Sequence, residues 1–93
     1  MTQAHAGTTF IWSKDNKDAN DTKIFAHGKM VPNNLSSTHR IVTIDELVDD
    51  FEFVPSFHNG NGKEKQEMVE IWHIYNVLFT GDKDNYTMTL TKQ

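Results

Sequence analysis

The segment MVEIWHIYNVLF, residues 68–79, is the most apolar and aromatic part of the chain, and the architecture of the rest turns on whether it is strand or helix. Taken with a period of two, it puts Val69, Ile71, His73, Tyr75, Val77 and Phe79 on one side and Met68, Glu70, Trp72, Ile74, Asn76 and Leu78 on the other. Taken with a helical period, Met68, Ile71, Trp72, Tyr75, Leu78 and Phe79 share a stripe. Composition favours the strand, because Val, Ile and the aromatics lose rotamer freedom on a helix and fit a pleated surface. A strand apolar on both sides is central in its sheet, with a layer over each side or a partner over one of them.

The chain has 93 residues, enough for one domain and one compact core. Residues 1–7 read as a flexible tail and residues 8–93 as a single small domain. Hydrophobic residues at 37% and charged residues at 24% are ordinary for a soluble folded protein, and two Trp, two Tyr and six Phe can furnish the interior. There is no cysteine, which removes disulfides, thiolate zinc and thiol catalysis and fits a reducing, cytoplasmic setting, or a host cytoplasm for a phage-encoded chain. The first ten residues, MTQAHAGTTF, carry neither a basic segment nor an apolar run of the secretory kind. With a net charge of −4 and dispersed Lys and Arg, the chain lacks the basic footprint that holds nucleic acid, so a charged partner is expected to be a basic protein surface.

Outward from the central stretch, residues 86–91 (YTMTLT) form an amphipathic strand, with Tyr86, Met88 and Leu90 inward, best paired with it as a hairpin. Residues 8–13 (TTFIWS), 22–31 (TKIFAHGKMV, Gly28 a bulge), 39–43 (HRIVT) and 51–57 (FEFVPSF, confined by Pro55 to an edge or an irregular end) read as further strands. Thr43 and Glu46 make a capping-box pattern, Val42 and Leu47 a hydrophobic staple, and Ile44, Leu47, Val48 and Phe51 an apolar stripe, so a short helix is expected over residues 44–51. The resulting fold class is α+β: a mainly antiparallel five- or six-stranded sheet with that helix packed on one face.

Chemical signatures are missing. The run from Asn16 fails as a calcium loop, since Asp21 stands where glycine is required and His27 where a bidentate glutamate belongs. The five histidines form no HxH or HExxH, no GxSxG elbow or phosphate loop occurs, and no cofactor or metal is expected. His73 stands alone among apolar neighbours, a hydrogen-bonded core or interface histidine before it is a ligand or a base.

The remaining expectation is a non-enzymatic protein-binding module that acts by surface occlusion, in the manner of stoichiometric inhibitors, immunity proteins and phage antagonists of host systems. Trp72, His73 and Tyr75 would anchor the interface, and Asp45, Glu46, Asp49, Asp50 and Glu52 would supply an acidic rim. A self-associating subunit, its apolar face covered by a copy of itself as a homodimer, is the alternative. A small ligand binder or enzyme using the sheet face, with His73 as its polar group, is the second.

Overall fold

Side chains alternate across a strand, so Phe51, Phe53, Pro55 and Phe57 fall on one side and Glu52, Val54 and Ser56 on the other. That pattern prevails throughout the computed structural model, which describes residues 7–44 and 47–93. Among the described residues there are nine strands: β1 (Thr8–Trp12), β2 (Ala19–Ala26), β3 (Lys29–Val31), β4 (Arg40–Ile44), β5 (Asp50–Phe57), β6 (Gly60–Asn61), β7 (Lys65–Met68), β8 (Ile74–Asp82) and β9 (Asn85–Lys92). The single helix, α1 (Leu35–Thr38), is four residues long and buries none of them. No helix among the described residues is long and apolar enough to cross a membrane.

The strands form two sheets. The first has the order β4-β1-β8-β9, and the second β3-β2-β5-β6, with β7 also on β5. All pairings are antiparallel except β1 with β8, where Thr9 to Trp12 run alongside Ile74 to Val77. The apolar sides of the two sheets face each other. Phe10, from the middle of the first sheet, meets Phe51 and Phe53 of the second edge-on at 4.9 and 5.2 Å between ring centres, and stacks on Tyr75 at 6.0 Å. Farther along, Phe79 packs against Phe57, Trp12 and Tyr86. Offset and edge-on contacts suit the charge distribution of aromatic rings, and each such pair adds roughly 0.5–1.5 kcal/mol beyond the area it buries.

Where β1 leaves its sheet, Asn16 prolongs the ladder with its side chain. Its Nδ2 donates to the carbonyls of Ser13 and Val77 (3.0 and 2.9 Å), and its Oδ1 accepts the Phe79 N–H at 2.8 Å. Asp18 Oδ2 accepts the Gly81 N–H at 2.8 Å in the same manner. The polar run after β1 is thus partly a backbone substitute for a strand that has ended.

Several expectations are corrected. The helix over residues 44–51 is not formed: Ile44 ends β4, Leu47 to Asp49 are irregular, and Asp50 and Phe51 open β5, while Asp45 and Glu46 lie outside the described residues. Ile44 and Phe51, the two ends of its stripe, are each claimed by a strand pairing, Ile44 with Thr8 and Phe51 with both Ala26 and Glu67. Among the described residues there is no layer of helix on a single sheet; the second layer is the other sheet. The central stretch is also divided. Residues up to Met68 belong to β7 in one sheet, residues from Ile74 belong to β8 in the other, and a turn joins them.

His27 and Gly28 are a two-residue turn between β2 and β3, not a bulge, both with positive φ (53° and 73°) as a type I′ hairpin requires. Pro55 lies inside its sheet. Its carbonyl accepts the Gly62 N–H at 2.8 Å on the side shared by β6 and β7, so its missing N–H falls in the gap between those short strands. Of the tail expected over residues 1–7, residues 1–6 lie outside the described residues and Gly7 is buried.

Because Phe10 is fully buried and touches rings of both sheets, Phe10→Ala should cost about 3–5 kcal/mol in urea unfolding. Asn16→Ala, which strands the Phe79 N–H of β8 while the Val77 carbonyl keeps the Ser13 N–H, should cost about 1–3 kcal/mol.

Candidate functional site

The turn between β7 and β8 collects most of the apolar surface that the interior does not take. Leu47, Met68 and Trp72 are 72%, 68% and 42% exposed, and Val69 and Ile71 are half-buried beside them. Met68 is paired with Asp50 across the ladder, and the next step along it is the Val69 N–H donating to the Asp49 carbonyl at 2.7 Å. Leu47, Asp49, Val69, Glu70, Ile71 and His73 then line an open groove of about 450 Å³. Leu47 is outside for a simple reason. In an extended segment Leu47 and Val48 point opposite ways, and Val48, at 1% exposure, takes the interior.

The backbone of the turn is held from several directions. Glu70 N–H donates to the Tyr75 hydroxyl at 2.8 Å, Trp72 N–H to Thr8 Oγ1 at 3.0 Å, and Thr9 N–H to the His73 carbonyl at 3.0 Å. Trp72 itself has φ +65°, a conformation rarely taken by a bulky side chain and worth roughly 1–2 kcal/mol of strain. The surrounding bonds impose it, and the indole is presented outward from a fixed backbone.

A short chain of charges edges the turn. Glu70 Oε1 accepts from Lys92 Nζ at 2.8 Å, and Glu70 Oε2 lies 3.4 Å from His73 Nε2. Lys92, first by its hydrogen bond and then by its charge, holds the Glu70 carboxyl below its ordinary range, and Glu70 in return raises the Lys92 ammonium. Both groups stand in water, where such pairs add little stability.

The residues singled out from sequence are distributed unevenly. Asp49, Trp72 and His73 come together at the turn. Asp50 and Glu52 share the outward side of β5, with Gln66 Nε2 donating to Asp50 Oδ2 at 3.4 Å and Phe25 paired to Glu52. Beyond Phe25 the row ends in Met30, 58% exposed, so this acidic pair lies between Met68 and two apolar side chains of β2 and β3. Tyr75 is a correction: it is 7% exposed, its ring stacked on Phe10, so it belongs to the interior and cannot anchor a partner. Asp45 and Glu46 lie outside the described residues.

Sequence reasoning overlooked Leu47, Glu70 and Lys92. The pair Leu47-Val48 inside an acidic run was the available signal for the first, because an extended reading exposes one of the two; the Glu70 to Lys92 contact joins the turn before β8 to the end of β9 and follows from the register of that hairpin, which no local pattern announces. Among the described residues no group of three or more His, Asp or Glu side chains gathers as a metal site would need. No family model matches the chain, and neither a curated protein nor a solved structure matches it.

Trp72→Gly relieves the left-handed backbone while giving up only a half-exposed ring, so its unfolding free energy should stay within about 1 kcal/mol of the parent. A loss of several kcal/mol in chemical denaturation would mean that the indole is a structural plug. For Glu70, a lowered folded pKa contributes stability that is full above the ordinary carboxylate value and is lost as pH falls through the folded value. Lys92→Met should therefore move the Glu70 carboxyl titration upward, followed by carbon NMR, and shrink the acid-side fall in stability that this group causes.

Proposed function

We propose that the chain is a non-enzymatic binding module that acts by covering a surface of another protein, with Trp72 and Leu47 as anchors and Asp49, Asp50 and Glu52 as the rim. The observation that carries this reading is an exposed tryptophan on a strained turn whose backbone is tied to β1 and to the segment before β5. Rigid aromatic anchors cost little ordering entropy when they bind, and interface energy concentrates in such side chains. Strain retained at an exposed position, with no gain in packing to offset it, fits selection for presentation of the ring.

The rim supports a basic partner. Asp49, Asp50 and Glu52 add to a chain already at −4, so a surface rich in Lys and Arg is the complementary one. Exposed acids of this kind speed encounter and set its salt dependence more than they hold the complex together. Leu47, Met68 and Trp72 would supply the holding, as a small apolar centre within a charged border.

The test is capture from native lysate with the parent chain and two variants at low and high salt, followed by titration with the captured protein. Trp72→Gly should weaken affinity by roughly 30-fold or more, equivalent to about 2 kcal/mol, without loss of fold. Asp50→Asn with Glu52→Gln should chiefly slow association and flatten its salt dependence. A partner bound equally well by Trp72→Gly would overturn this reading.

A further inference from the structure

A sheet that is not closed into a barrel has edges, and an edge strand offers unpaired N–H and C=O groups to any other chain unless something blunts it. The two sheets have four edges, formed by β3, β4, β9 and the β6/β7 side of β5. Three are blunted. β3 has three residues, begins with Lys29 and is followed at once by Pro32. β4 is interrupted by a register shift against β1, and its Ile41 carbonyl is taken by the Asn34 N–H at 2.9 Å. The β6/β7 edge is two short pieces of two and four residues with a gap between them, and the second carries Lys65 and Glu67.

β9 is different. It has eight residues, keeps an unbroken register with β8 from Tyr75 opposite Lys92 to Asp82 opposite Asn85, and contains no proline. Its outward side chains Thr87, Thr89 and Thr91 are exposed and neutral, and its one charge is Lys92 at the end. Gln93 N–H donates to the Ile74 carbonyl, which fixes the phase of the ladder. Odd-numbered residues of β9 direct their backbone groups to β8, and Tyr86, Met88, Leu90 and Lys92 direct theirs away from the sheet. Among the described residues no strand pairs with that side.

We infer that β9 pairs with β9 of a second copy of the chain, antiparallel about a two-fold axis at Met88, to give a continuous eight-stranded sheet. Antiparallel pairing joins residues of the same side and sets outward N–H and C=O groups against each other, so Met88 faces Met88, Leu90 faces Tyr86, and Thr89 faces Thr87 of the copy. It also brings the positive end of the strand, Lys92, beside the negative turn residue Asp84 of the copy, where parallel pairing would set like ends together. A single strand edge buries less than the ~1,200 Å² of a lasting interface, so the dimer forms reversibly with concentration. The surface meets the edge of the Trp72 turn only at Lys92, through its ion pair with Glu70, and does not depend on that turn's role.

The experiment compares the chain at about 10 μM and about 1 mM by sedimentation and by amide hydrogen exchange. Mass should rise toward the dimer, and the amides of Tyr86, Met88, Leu90 and Lys92 should slow by up to about tenfold, while those of Thr87, Thr89 and Thr91 stay unchanged. The double variant T87K, T89K opposes like charges in the paired strands and should remain monomeric at both concentrations with its melting temperature retained. A parent chain monomeric throughout, or a dimer in which the even-numbered amides keep their free rates, overturns the inference. The second result holds even if the double variant fails to fold, since it is read on the parent.

Discussion

The ring of Phe10 is the point through which both sheets are held. It sits on the middle of three adjacent strands, with β4 on one side and β8 on the other, and reaches across to Phe51 and Phe53 of the opposite sheet. A chain of this length buries only about 60–65% of its unfolded surface, so a few large rings must do what a deep core does in larger proteins. Phe10, Phe51, Phe53, Phe57, Tyr75 and Phe79 form that seam, and all are 7% exposed or less. Every other element is arranged to keep water out of it.

How much of this could be read from sequence depended on whether a residue had one plausible assignment or two. Strands at residues 8–13, 39–43, 51–57 and 86–91 were legible within a residue or so at most ends, the last two from clean alternation and the first two from their β-branched and aromatic residues. Residues 44–51 carried two patterns at once. A capping box and a helical stripe are local signals worth about a kilocalorie each, and the pairing of Phe51 between β2 and β7 with its ring in the seam outweighs them. The break at Trp72 had no local signature. A left-handed residue is usually announced by glycine or asparagine, and here it is enforced by the nearby Tyr75 together with Thr8, Thr9 and Asp49, which are distant in sequence.

The same division explains the candidate site. The twelve-residue stretch was read as one ribbon with too much apolar surface, whereas the chain splits it. Tyr75, Val77 and Phe79 go to the seam, Ile74, Asn76 and Leu78 are half-covered, and the remainder is gathered at Met68 and Trp72 on the turn. Leu47 joins them because its neighbour Val48 occupies the interior. A patch made in this way is small, fixed and bordered by carboxylates, and the proposed docking rests on it.

The parallel pairing of β1 with β8 also governs how the protein is made. Thr9 and Ile74 are neighbours in space but 65 positions apart, so β1 has no inner neighbour until β8 has followed it out of the ribosome. Closing a loop of that length must precede any reward from the contact, and topologies dominated by such distant pairings assemble over milliseconds to seconds rather than microseconds. During that interval the β2–β3 hairpin and β5 can associate among themselves, while Phe10 lacks the neighbours that β8 supplies, Tyr75 above all, and the β8-facing edge of β1 stays open to a wrong partner.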